Sequence, residues 1–145
     1  MSQDTQQVKT VVLVKCVDWR LHETAEEYIK QQLQSQYPDH LIKIYVLRVA
    51  GACKDLDDAS KHASDIMGIA HDVEYMYLCN HLNCGAYASR VASEGLDAQG
   101  EEEMHRNEVA RLKDIMQEKF PELNIISLIE RLVNDAGAGM IELDI

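Results

Sequence analysis

Apolar and polar positions alternate along the chain in blocks that suit strands and helices in turn. A polar lead ends near Lys9. Thr10–Cys16, TVVLVKC, is a nearly continuous β-branched run of strand length, the pattern of a strand covered on both faces. Thr24-Ala25-Glu26-Glu27 has the spacing of a capping box, and Ala25, Tyr28, Ile29 and Leu33 follow it at helical spacing. Pro38-Asp39 ends that helix, and Leu41–Val49 is a second apolar strand closed by Gly51.

Asp57-Asp58 opens another helix, where acidic groups suit the positive end of the dipole. Its stripe is Ala59, Ala63, Ile66, Met67 and Ala70. Val73–Cys79 is the third strand, and Gly85–Ser93 a short helix with Gly95 as its C-cap. An acidic stretch, Asp97–Glu103, leads to a longer helix that runs to Phe120 and stops at Pro121. Asn124–Val133 is a fourth strand, Asp135–Gly139 a turn, and Met140–Ile145 a short last strand.

Strands alternating with helices predict an α/β domain with a mainly parallel sheet, covered on both faces as three α-β-α layers. At 145 residues, with no repeat or linker, residues 1–145 form a single domain. Folding should bury roughly 70% of the unfolded surface, enough for a core without disulfides.

The charge narrows the partners. Lys plus Arg number 14 against 25 Asp plus Glu, a formal net charge of -11. Such a surface repels phosphate backbones and anionic membranes, so neither nucleic acid nor a membrane is expected. No run is long and apolar enough to span a bilayer, and the polar start lacks a secretory core, so a cytoplasmic location is expected. Cys16, Cys53, Cys79 and Cys84 should then be reduced, as packing groups, ligands or catalysts.

Parallel sheets bind ligands beyond the carboxyl ends of their strands. Strand one ends in Cys16-Val17-Asp18-Trp19-Arg20, and strand three in Asn80-His81-Leu82-Asn83-Cys84-Gly85. If these strands are neighbours, two thiols and an imidazole share one rim, a donor set that suits Zn2+. Cys84 would also lie at a helix N-terminus, which favours its thiolate. Three protein ligands leave a fourth position for Asp18 or for water. Arg20 could hold Asp18 off the metal through paired hydrogen bonds, leaving Asp18 to orient a water that zinc makes acidic. Such a site adds water to a small electrophile.

These residues resemble known motifs. C-V-D-W-R resembles the Cys-x-Asp-x-Arg motif of the β-class carbonic anhydrases, and H-L-N-C-G-A resembles their His-x-x-Cys-Gly motif. Arg48-Val49-Ala50-Gly51 is similar to their Arg-Asn-Ala-Gly segment, and Asn134–Leu143 to their last hairpin. The matches run in order across residues 10–145. The resemblance implies Cys16, His81 and Cys84 as zinc ligands. Asp18 is implied as fourth ligand or hydroxide-orienting group, paired with Arg20. It further implies reversible hydration of carbon dioxide by a zinc-bound hydroxide, a sheet order 2-1-3-4 with a short C-terminal antiparallel strand, and a homodimer or higher homo-oligomer. Trp19 stands where the family has serine, and Val49 where it has asparagine. Residues 1–9 stand where family members carry a long helical arm, whose packing role must then be lost or replaced. Two other readings share the metal set: a non-catalytic zinc-binding homologue, and a hydrolase of carbonyl sulfide or carbon disulfide.

Each residue also has a plainer reading. Cys16 and Cys84 taken singly are buried small apolar groups. Asp18–Arg20 taken alone is a surface pair. Arg48 either ties a strand end or meets substrate. Cys79 is a packing residue, and Cys53 is either a packed loop thiol or a reactive group near the same rim. His22 is a surface residue before a helix or a proton shuttle. His105 lacks ligand spacing, and Glu101–Glu103 is a solvated helix start.

Overall fold

The computed structural model describes residues 6–134 and 137–143. The first strand, β1 (Val8–Cys16), is the axis of the molecule: Val11, Val12, Leu13 and Val14 are all fully buried. Its side chains alternate between two cores. Val12, Val14 and Cys16 face Ala59, Ala63, Leu112 and Met116, whereas Val11 and Leu13 face Ala25, Ile29 and Leu33. Helices therefore cover both faces, which is why β1 lacks the polar alternation of a half-exposed strand.

The remaining elements are α1 (Thr24–Gln36), β2 (Leu41–Val49), α2 (Leu56–Ile69), β3 (Val73–His81), α3 (Ala88–Ser93), α4 (Ala98–Lys119), β4 (Asn124–Asn134) and β5 (Gly137–Leu143). The sheet order is β2-β1-β3-β4-β5. β1 pairs in parallel with β2 and β3, β3 pairs in parallel with β4, and β5 returns antiparallel to β4. The expected order, with its antiparallel C-terminal strand, is the observed one.

Order and chain direction together place the functional crevice. The chain leaves β1 to form β2 on one side, then crosses back to lay β3 on the other. The switch point lies between β1 and β3, where open α/β sheets bind ligands at the carboxyl ends. Cys16 ends β1 and His81 ends β3.

Several local expectations are corrected. The capping box at Thr24 does not form: Glu23 occupies the N-cap without a side-chain hydrogen bond, so Thr24 is already inside the helix. The chain enters α1 from a 3-10 turn, Trp19–Leu21, which shifts the helix start. Asp55, just before the expected Asp57-Asp58 start, caps α2 by accepting the Asp58 N–H at 3.1 Å. The α4 helix starts at Ala98 because Asp97 accepts the Gly100 N–H at 2.8 Å, which puts Glu101–Glu103 inside the helix. β3 runs two residues further than expected, to His81. The last strand begins at Gly137, so Gly137–Gly139 belong to it, while residues 135–136 of the expected turn lie outside the described residues.

The polar residue in the β1 run is the least expected occupant of the core. Lys15 is fully buried. Its ammonium donates to Glu26 Oε1 at 2.9 Å and to the His22 carbonyl at 3.1 Å, and lies 3.9 Å from Glu130 Oε1. Glu130 is also fully buried, and its Oε1 accepts the Cys79 thiol at 3.3 Å. Burial pushes Glu130 upward, against the pull of Lys15. Arg48 donates to Glu26 Oε2 at 2.8 Å, so it ties β2 to α1.

Candidate metal centre

Cys16, His81 and Cys84 are all buried, and their ligand atoms lie within 4.8 Å of one another. Two neighbouring strand ends bring them together: β1 delivers Cys16, β3 delivers His81, and the loop after β3 delivers Cys84. The two sulfurs are 3.8 Å apart across 68 positions of sequence.

The His81 ring has one defined donor. Its Nδ1 lies 2.8 Å from the Leu82 carbonyl, which can only accept, so Nδ1 carries the hydrogen. That leaves Nε2 as the atom with a lone pair. Nε2 is buried and makes no hydrogen bond among the described residues. A buried polar atom without a partner is costly, and here it faces two thiols. Ligating histidines hold their second nitrogen on a carbonyl in this way.

The charges around the thiols are unequal. The hydrogen bond shared with Cys84 holds Cys16 down to about 4, against burial, helped by His81 and by the Gly51 and Asp18 N–H groups. Cys84 is pushed up, first by the same hydrogen bond and then by burial. The helix end expected to favour a Cys84 thiolate is short. Cys84 precedes only a 3-10 turn, Gly85–Tyr87, and the six-residue α3, too short for a strong dipole. For His81, burial pulls downward, but the facing Cys16 thiolate, the Leu82 carbonyl and Asp18 outweigh it and leave the ring above its ordinary value.

Gly51 contributes through its backbone. Its N–H donates to Cys16 Sγ at 3.4 Å. Its φ is +78°, and a Cβ there would meet the Cβ atoms of Lys54 at 2.9 Å and Ala86 at 3.1 Å. Glycine is therefore required for this amide to approach the sulfur.

Asp18 and Arg20 form the pair that the spacing suggested. Arg20 Nη2 donates to Asp18 Oδ2 at 2.6 Å, Arg20 Nε to Oδ1 at 3.0 Å, and the Arg20 backbone N–H to Oδ1 at 2.9 Å. These bonds hold the Asp18 carboxyl down to about 2, against its partial burial. Asp18 Oδ2 still lies 3.8 Å from His81 Nε2, at the edge of the ligand cluster. A cleft of about 490 Å³ opens here, lined by Val17, Trp19, Ala50 and Ala86 beside the ligands. Trp19 is 68% exposed, so it rims the mouth and does not fill it.

The other candidates fall outside the cluster. Cys53 and Cys79 are buried, and burial pushes both thiols up, as packing residues require. His22 is exposed, and its carbonyl serves Lys15. Two residues passed over in the sequence do reach the site. Glu101 Oε2 accepts the Asn83 N–H at 2.7 Å, and His105 is fully buried 3.2 Å from the same oxygen. Their spacing of four on α4 pairs them with each other, but nothing local in the sequence connects either to Asn83.

No known family profile matches the chain. Two curated relatives, both described as uncharacterized, come from Rickettsia bellii (strain RML369-C) and Rickettsia conorii (strain ATCC VR-613 / Malish 7). Each is 24% identical over 127 residues, covering 83% of this chain and 75% and 66% of their own lengths. Solved structures are more informative. A tetrameric β-carbonic anhydrase of Sordaria macrospora superposes with a TM-score of 0.60 at 12% identity, over 96% of this chain and 82% of its own. The β-carbonic anhydrase CafA of Aspergillus fumigatus gives 0.62 at 14% identity, over 95% and 76%. The β-carbonic anhydrase CcaA gives 0.58 at 12% identity, over 97% and 81%. The chain therefore has the fold of the β-carbonic anhydrases, with a Cys-His-Cys cluster at its switch point that could hold a metal ion.

Proposed function

We propose that this chain is a zinc-dependent hydratase that interconverts carbon dioxide and water with bicarbonate and a proton. The observation that carries this reading is His81 Nε2, a buried nitrogen that makes no hydrogen bond among the described residues and faces two thiols. Two sulfurs and one imidazole nitrogen fit zinc, which accepts mixed ligands tetrahedrally. Cys16, His81 and Cys84 would hold it. Zinc there supplies Lewis-acid chemistry, bringing the acidity of water from a pKa of 15.7 toward about 7.

The remaining steps belong to the protein. Leu82 fixes the His81 ring, so Nε2 faces the cluster. Arg20 occupies both oxygens of Asp18 and keeps them ionised, which favours an orienting role for Asp18 over permanent ligation. Asp18 accepts a hydrogen bond from the attacking water and aims its lone pair at the carbon. Val17, Ala50 and Ala86 give the cleft an apolar wall suited to a small uncharged substrate. The net charge of -11 does not hinder a neutral substrate, and it repels an anionic product outward. The tetrameric Sordaria neighbour supports a homo-oligomer, which a solution mass of at least twice the chain mass would show.

Metal analysis and stopped-flow hydration test this reading together. The purified chain should carry close to one zinc, and Cys84→Ser should lose it. Carbon dioxide should be hydrated faster than carbonyl sulfide or carbon disulfide in side-by-side assays. A folded chain that takes up no zinc, or turnover of the sulfur compounds alone, would overturn it.

A further inference from the structure

We propose that Glu101, braced by His105, is a positioning residue that holds the loop between two metal ligands in the shape zinc requires. The inference rests on the metal reading above. Asn83 lies between His81 and Cys84, with φ at +56°, a left-handed conformation that few non-glycine residues adopt. Such a residue stays there only when its surroundings hold it. Asn83 is gripped from two sides. Its N–H donates to Glu101 Oε2 at 2.7 Å, and its carbonyl accepts from Arg20 Nη2 at 3.1 Å. The same guanidinium holds Asp18.

Glu101 is itself fixed from behind. Asn80 Oδ1 accepts the Cys53 N–H at 3.0 Å, which orients the amide. Its Nδ2 then donates to His105 Nδ1 at 3.0 Å, so the hydrogen of His105 sits on Nε2. That N–H donates to Glu101 Oε2 at 3.2 Å. The line runs from the buried core of α4 through one carboxylate oxygen to the ligand loop, and then through Arg20 to Asp18. Metal sites tolerate only about 0.2 Å of error in ligand distance, so a loop released at Asn83 would misplace Cys84.

A plainer role competes: an acidic residue in the first turn of α4 simply suits the helix dipole. Three substitutions separate the two. Both hydrogen bonds end on Oε2, so the amide oxygen of Glu101→Gln can accept both. Glu101→Asp keeps the charge at the helix start but is one methylene too short. Glu101→Ala removes both bonds and charge. Glu103, exposed on the same turn, is the control.

Zinc affinity of the full chain is read by competition with a chelating dye, and the cobalt(II) absorption spectrum reports ligand geometry. Glu101→Ala and Glu101→Asp should bind zinc about 10–100-fold more weakly, with an altered cobalt spectrum, while Glu101→Gln stays within about threefold and Glu103→Ala is unchanged. Zinc affinity unchanged in Glu101→Asp, or a loss in Glu101→Gln as large as in Glu101→Asp, overturns the proposal. Should Glu101→Ala fail to fold, the Asp and Gln variants still decide between the two roles. If the unaltered chain binds no zinc, the metal reading itself fails first, and the two failures are told apart.

Discussion

Replacing Lys15 by methionine tests whether the buried charges beneath the site act as one unit. Methionine has nearly the same length, so no cavity opens; what disappears is the cation. Lys15 gives hydrogen bonds to Glu26 and to the His22 carbonyl, and sits 3.9 Å from Glu130. Glu26 keeps Arg48, but Glu130 keeps only the Cys79 thiol, and its Oε2 has no partner among the described residues. Removing one member of a buried pair costs about 3–5 kcal/mol because the other charge is stranded. Glu130 can escape by taking a proton, so the lower end, about 3 kcal/mol near neutral pH, is expected.

The pH dependence follows from the same group. Glu130 is raised above its ordinary value in the folded protein, so its contribution is full below the unfolded pKa of about 4.5 and is lost as pH rises through the folded pKa. Without Lys15 the folded value rises further. The penalty of Lys15→Met should therefore be smaller at about pH 5 than at about pH 7. Adding Glu130→Gln makes the pair neutral and should recover at least about 1 kcal/mol at pH near 7. Equilibrium urea unfolding followed by circular dichroism at both pH values measures the parent and both variants. A loss below about 0.5 kcal/mol for the single variant, or no recovery in the double, would refute the coupling.

Three further outcomes follow. Asp18→Asn should keep zinc and the fold while hydration falls about 10–100-fold, since the orienting charge goes but the shape remains; unchanged stopped-flow rates would remove Asp18 from the mechanism. Asp97→Ala should cost about 1 kcal/mol by stripping the α4 cap, and a thermal midpoint equal to the parent's would contradict this. Leu112→Ala should cost about 2–5 kcal/mol, because Leu112 is fully buried between α4 and the sheet; calorimetry decides.

Much of the architecture was legible in local periodicity. Continuous β-branched runs separated by helical stripes specify strands buried on both faces, and Leu41–Val49 was placed residue for residue. Helix starts were less legible: Thr24 had a capping spacing, but the 3-10 turn before it set the entry, and Asp97 captured the start of α4 ahead of the acidic run. At the candidate site, Cys16, Asp18 and Arg20 are close in sequence at the end of β1, and His81 and Cys84 at the end of β3, so each group is legible locally.

By itself, then, the sequence determined the order of strands and helices and the chemistry carried at each strand end, since both depend on neighbours a few residues away. Only the tertiary structure decided what those ends meet. Laying β3 beside β1 brings sulfurs 68 positions apart to 3.8 Å. Packing α4 over the sheet aims Glu101 at Asn83, whose N–H it accepts at 2.7 Å. The same packing turns Lys15, one polar letter in an apolar run, into the cation that Glu26 and Glu130 share. Periodicity says which face a side chain takes; which partner waits on that face depends on chain segments far away in sequence.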